Sequence, residues 1–210
     1  PNLEITIMIA TGLHRSPTED ELVIKFGREI LSKYTVISHD GKDDFRLTKV
    51  GVMSTGNVLW LNSIIKDVDL IVAEGFIEPH FVAGYSGGPK SILPAIAGHD
   101  TIMKNHGPTN IDHPKARSGI LEDNPLYQEM CEAAKLSNLE FILNVVLSPE
   151  KEIVGAFSGF FKDAHQKGCN YLEKYCRVEP AMAEIVIVSN DGFPLDLNLY
   201  QGVKGIVTAS

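Results

Sequence analysis

The sequence has no basic run, no long apolar stretch and too few cysteines for a disulfide framework. Its 19 Lys and Arg stand against 27 Asp and Glu, for a formal net charge of -8. With no stripe of positive charge, nucleic acid and an acidic membrane surface are excluded as main partners; an anionic small molecule would have to find its positive charge locally. The 3 cysteines, Cys131, Cys169 and Cys176, are odd in number and form no CxxC pair, which reads as reduced packing residues. No apolar run approaches the roughly 18 residues of a membrane span, and the first residues lack the basic flank of a signal peptide. A cytoplasmic protein with no membrane partner is expected. No GxGxxG follows any strand pattern, since Thr11-Gly12-Leu13-His14 offers one glycine, so a nicotinamide-dependent dehydrogenase is disfavoured.

What is present is ordinary globular composition: 210 residues, 44% hydrophobic and 22% charged, with a mean hydropathy of +0.01. Such a chain can bury one sizeable core. Leu3 to Ala10 and Thr35 to Ser38 read as strands. Between them Ser16-Pro17-Thr18-Glu19 reads as a helix start, with Leu22, Val23, Phe26 and Ile30 as its apolar face. Asn57 to Lys66 is expected to be a short helix, and Val68 to Ala73 a buried strand. Residues 107–120 have loop composition. Asn124-Pro125 starts a helix, Leu139 to Leu147 and Glu152 to Phe157 form a hairpin, and Phe161 to Cys176 is helical. Arg177 to Ala183 reads as a boundary, Glu184 to Ser189 as a strand, and a last helix carries Gln201 and Lys204 three apart, on one face. The expectation is an α/β fold, a mostly parallel sheet flanked by helices. It divides into a main domain over 1–178 and the start of a second α/β lobe over 179–210.

The densest chemistry lies between Glu74 and His106, behind that buried strand, where open α/β sheets place their ligands. Gly84 to Ser91 ends in Lys-Ser like a phosphate loop. However, Pro89 stands where that loop needs glycine, and proline has no N–H to offer a phosphate. Gly87 and Gly88 still permit close approach of an anion or a ring, and a tight turn with a solvated Lys90 is the plain alternative. His14 falls in a strand-to-helix turn, either a functional position or a solvated loop. His39 and His113 read as surface residues, and His165 as structural or exposed. Three histidines, His14, His80 and His106, are not spaced like ligands on one helix. If the fold brings them to Lys90, they make a metal or proton-transfer site.

The segments Ala10 to Arg15, Glu78 to Ile92, Lys104 to His106 and Pro194 to Lys204 resemble the lactate racemase family, the nickel-pincer-nucleotide enzymes. The resemblance runs along nearly the whole chain, with motifs in the family's order, and implies a racemase or epimerase of a 2-hydroxy acid. By it, Lys90 would carry the cofactor, a pyridinium-3-thioamide-5-thiocarboxylic acid mononucleotide, as a thioamide; Gly87 and Gly88 would adjoin that cofactor. His106 would complete the nickel site. His14 and His80 would be the acid/base pair on opposite faces of the substrate. Gln201 and Lys204 would hold its carboxylate, with Tyr200 lining the same site. The small 2-hydroxy acid and the cofactor-making enzymes are the partners so implied. The family's chains extend beyond these residues at both ends, so the chain reads as a central fragment. A relative that binds a nucleotide or metal without turnover is the alternative.

Overall fold

The computed structural model describes residues 4–179, 182–190, 192 and 199–209. Strand β1 (Thr6–Ile9) leads through a turn to helix α1 (Glu19–Lys33). Thr18 caps that helix: its hydroxyl accepts from the Glu21 N–H at 3.3 Å, and the Glu21 carboxylate accepts from the Thr18 N–H at 2.8 Å. This capping box moves the start from the expected Ser16, because a residue before proline is held out of the helical region. Strand β2 (Thr35–Ser38) returns parallel to β1, with Thr6 opposite Thr35.

Next, β3 (Leu47–Val52) and β4 (Val58–Asn62) pair antiparallel, which corrects the helix expected over Asn57 to Lys66. Leu59 and Leu61 are fully buried while Trp60 is 39% exposed, the two-residue alternation of a strand. Helical geometry is confined to a 3-10 turn at Ser63–Lys66. Strand β5 (Ile71–Phe76) lies three residues later than the expected run and is not buried as expected: Ile71 and Ala73 face the core, while Val72 and Phe76, on the other face, are 55% and 45% exposed. After it come the short ladder of β6 (Pro79–His80) and β7 (Gly84–Tyr85), then helices α2 (His99–Asn105) and α3 (Pro108–Ile111). The last lies in the stretch whose composition read as loop.

Helix α4 (Pro125–Leu136) starts as expected, with the Asn124 side chain accepting from the Leu126 and Tyr127 N–H groups and Pro125 in the first turn. Strand β8 (Leu139–Leu147) then enters the centre of a three-stranded sheet. It runs parallel to β5 on one side and antiparallel to β9 (Ile153–Phe160) on the other. Helix α5 (Phe161–Cys176) follows at once and packs on the face that Ile142, Asn144 and Val146 present. The chain closes with α6 (Leu199–Ala209). Among the described residues, 182–190 contain no strand, which corrects the one expected at Glu184 to Ser189.

The α/β class is as expected, and the strand pairing is mixed. The principal core joins β4, α4, β8 and α5 through Leu61, Leu126, Met130, Ile142 and Phe161. Each such side chain contributes about 1.5–3 kcal/mol by burial. Ile92, Leu93, Ile96 and Ala97 belong to the same core, so the turn that carries Lys90 rests on it. Among the described residues no helix is long and apolar enough to cross a membrane.

Candidate active site

Lys90 projects from a 3-10 turn (Gly88–Ser91) that β7 and a left-handed pair of glycines set up. Gly87 and Gly88 have φ of 77° and 54°, a region that only glycine enters at little cost. The turn is closed by the Lys90 N–H on the Gly87 carbonyl at 3.2 Å and by the Ser91 hydroxyl on the Gly88 carbonyl at 2.7 Å. Close approach to these glycines is made by the protein itself. Asn144 Oδ1 takes the Gly88 N–H at 2.8 Å, and the His165 ring occupies the space that a Gly88 side chain would need.

Three groups come together around that lysine: His80, His106 and Lys204. Burial, and then the charge of Lys204, push the Lys90 amine down to about 7 from its ordinary 10.5. Burial lowers His80 to about 3, helped by the positive charges of Lys90, His106 and Lys204. His106, at the carbonyl end of α2, is lowered by burial and by Lys90. Lys204 reaches in from α6, its Nζ 6.0 Å from the centre of the Phe81 ring. The neighbouring charges that act on His80 and Lys90 are all positive. At neutral pH the two imidazoles are therefore neutral, Lys90 is near half charge, and the cluster is poised to receive an anion.

The local hydrogen bonds fix what each ring can offer. His80 Nδ1 accepts from the Ala83 N–H at 3.1 Å, so the neutral ring carries its proton on Nε2 and presents a donor. Taking up a second proton would set Nδ1–H against the Ala83 N–H, so acting as a base requires the turn at 80–83 to yield. Among the described residues His106 Nδ1 is buried without a hydrogen-bond partner, a nitrogen lone pair or N–H left for a ligand.

His14 is exposed, on the turn after β1 where the sequence places it; its N–H donates to the Thr11 carbonyl at 2.9 Å. That turn is fastened to the segment after Lys90 by the Gly12 N–H on the Ala95 carbonyl, also 2.9 Å. Tyr200 and Gln201 belong to α6 with Lys204, but their side chains lie outside the described residues. Among the described residues no three His, Cys, Asp or Glu side chains converge as a metal site, so His106 would need its co-ligands from a bound group. A groove of about 1000 Å³ between residues 115–123, α4 and α5 mixes Lys135 and Lys162 with Glu132 and Glu173 and includes none of the cluster.

His39 differs from its sequence reading, and His165 takes the structural one of its two alternatives. His39 is fully buried rather than on the surface: Nε2 donates to the Ala97 carbonyl at 2.9 Å and Nδ1 accepts from Asn62 at 3.2 Å. It joins the end of β2 to β4 and to the turn after Lys90. His165 is likewise fully buried, beneath Gly88. Nothing local in the sequence marks either, because their partners are far along the chain. His113 is exposed, as expected.

An α/β scaffold that gathers imidazoles and amines at the end of its sheet, with their charges all of one sign, defines an enzyme-type site for an anionic ligand. The family model for the lactate racemase N-terminal domain matches residues 1–119, and that for the lactate racemase C-terminal domain matches residues 178–210. The chain belongs to the lactate racemase family. It is 46% identical over 202 residues to lactate racemase of Thermoanaerobacterium thermosaccharolyticum, covering 96% of this chain and 47% of that protein. It is 43% identical over 209 residues to lactate racemase of Lactiplantibacillus plantarum, covering 49% of it. The structure of the T. thermosaccharolyticum apoprotein superposes with a TM-score of 0.92 over 96% of this chain and 48% of that one. A Thermotoga maritima protein, 23% identical over 81% of this chain and 47% of its own, shares the fold with a TM-score of 0.69. The chain thus spans about half the length of these relatives.

Proposed function

We propose that these residues form the catalytic part of an enzyme that racemises lactate or a closely similar 2-hydroxy acid. The observation that carries the reading is the cluster itself: a buried amine lowered to about 7, beside two neutral imidazoles, with His106 Nδ1 unpartnered. Those features fit the family's nickel-pincer nucleotide. A lysine amine lowered to about 7 is near half unprotonated at neutral pH, and that fraction can be acylated or thioacylated directly. An orphaned imidazole nitrogen suits nickel. Lys90 would hold the group covalently and His106 would ligate its metal; when bound, the group supplies acceptance and return of the hydrogen on the substrate's C2.

The remaining steps belong to the protein. Lys204 draws the substrate carboxylate by charge, and Gln201 and Tyr200 on the same helix complete its seat. His80 hydrogen-bonds the substrate oxygen on one face through Nε2–H, and His14 serves the other face. To take the hydroxyl proton at Nε2, the ring proton of His80 must first pass to Nδ1, with the Ala83 N–H released as the turn at 80–83 yields. Racemisation uses both faces, so it needs two proton-transfer groups, each worth roughly 10²–10⁴ in rate. Lys204 reaches His80 and Lys90 from α6, which supports reading 179–210 as the start of a second lobe that supplies substrate contacts. The partners in this reading are the 2-hydroxy acid and the enzymes that make the cofactor.

The test is intact mass and nickel content after co-expression with those enzymes, for the chain and for Lys90→Ala. A mononucleotide-sized adduct mapping to Lys90, with about one nickel per chain and both lost in the variant, is expected. An unmodified wild-type chain that still binds a nucleotide would replace the enzyme reading with that of a binding relative.

A further inference from the structure

The residues that hold Lys90 in place come from a different stretch of chain than Lys90 itself. His165, from α5, touches the turn at two points. Its Nε2 donates to the Ser86 carbonyl at 2.9 Å, and its ring fills the space where a Gly88 side chain would lie. With the proton on Nε2, Nδ1 accepts, and the Tyr127 hydroxyl of α4 lies 3.3 Å from it as donor. Asn144, from β8, takes the Gly88 N–H at 2.8 Å and would lie 2.8 Å from a β-carbon on Gly87. Ser86 is also tied back, its hydroxyl donating to the Phe76 carbonyl at 2.9 Å and accepting from the Glu78 N–H at 2.8 Å.

Ser86, Gly87 and Gly88 are therefore each gripped by a side chain from β8 or α5, and Lys90 is two residues further on. His165 and Asn144 are fully or almost fully buried, at 0% and 2% exposure. The two gripping residues, Asn144 and His165, and Tyr127 behind His165 all lie in 120–177, between the two family-model matches. A buried imidazole hydrogen-bonded at both nitrogens and pressed on a glycine has one orientation available to it. A rotation of that ring moves the Ser86 carbonyl, and with it the direction in which the lysine leaves the turn.

We propose that His165, with its tautomer set by the Ser86 carbonyl, its Nδ1 held by Tyr127 and Asn144 beside it, is the positioning residue of Lys90: it fixes where the amine meets an incoming group. The assignment rests on the reading of Lys90 as the attachment point, but its test does not need the cofactor. Trace labelling of the 210-residue chain with acetic anhydride, mapped by mass spectrometry, gives the rate at Lys90 relative to the exposed Lys66 and Lys167. In His165→Leu that ratio is expected to move at least about five-fold toward the reference lysines, since small displacements of a held group change its reactivity steeply. Tyr127→Phe removes one oxygen and leaves the packing; it is expected to move the ratio in the same direction by at least about two-fold. His165→Gln keeps an N–H for the Ser86 carbonyl and should stay nearer the wild-type ratio than His165→Leu.

Circular dichroism confirms folding in each case, and Tyr127→Phe keeps the test intact if His165→Leu does not fold. Wild-type ratios in a folded Tyr127→Phe overturn the proposal, as does a His165→Gln ratio equal to that of a folded His165→Leu. Co-expression with the cofactor-making enzymes separates the two readings. A wild-type chain without adduct refutes the proposed function and leaves the labelling result standing; a wild-type adduct yield in His165→Leu refutes the positioning role and leaves the function standing.

Discussion

Replacing Lys90 by methionine should make the chain more stable, and by an amount that depends on pH. The fold holds the Lys90 amine at about 7, against 10.5 for a free lysine, chiefly because burial disfavours its charge. Between those two values the unfolded chain binds a proton that the folded chain does not. Stability therefore rises with pH across that window, and the whole penalty is felt below its lower end. A shift of that size corresponds to about 5 kcal/mol at about 1.4 kcal/mol per unit. The side chain keeps some contact with solvent, so about 2–4 kcal/mol is the working figure. Methionine has similar length and no charge to desolvate, so Lys90→Met should gain that amount near neutral pH. The gain should shrink by about 1 kcal/mol per pH unit between about pH 7 and about pH 10. Urea unfolding of both chains at several pH values measures the gap directly. A gap that does not change with pH, or a variant less stable than wild type at neutral pH, would refute the placement of a desolvated amine in this turn.

Acid should weaken the fold through its buried imidazoles. Burial lowers His39, His80, His106 and His165 below the ordinary 6.5, so as pH falls past that value the unfolded chain gains protons first and stability is lost, by up to about 1.4 kcal/mol per unit for each. Melting temperatures that stay level from about pH 7.5 to about pH 5 would contradict their burial. Gly88→Ala should cost about 2–4 kcal/mol, from a left-handed φ and overlap with the His165 ring, whereas Gly159→Ala, with nothing within 4 Å, should cost only the backbone strain. Equal losses for the two in urea unfolding would mean that the His165 contact has no weight.

The elements that were legible in the sequence are those with local punctuation. Asn124-Pro125 marks α4 by its cap, and Ser148-Pro149-Glu150 marks the turn between β8 and β9. Residues 57–66 misled because their apolar side chains satisfy both a helical and an alternating pattern; pairing with β3 settled it. Ile185, Val186, Ile187 and Val188 have strand composition, yet are 82%, 55%, 94% and 45% exposed, and among the described residues no partner strand is there to order them. In the candidate site, the order of His14, His80, Lys90 and His106 was readable, as was their grouping behind a strand. The scaffold beneath was not. His39 sits next to Asp40-Gly41 and looks like a surface residue, and its burial depends on Asn62 and Ala97. His165 looks like one residue of an amphipathic helix until Gly88 is laid on its ring.

The pairing of β5 with β8 also sets a schedule. Ile71 lies opposite Leu139, about seventy residues further along the chain, and at about 5–20 residues per second a ribosome needs roughly 4–14 seconds to bridge that interval. During it, Gly87, Gly88 and Lys90 have been made but the side chains that hold their turn have not. Lys90 thus emerges as an ordinary solvated amine, and its chemical character is acquired late, when α5 closes over the glycines. A chain stalled before α5 would contain the whole lactate racemase signature up to His106 and still lack the environment that gives it meaning.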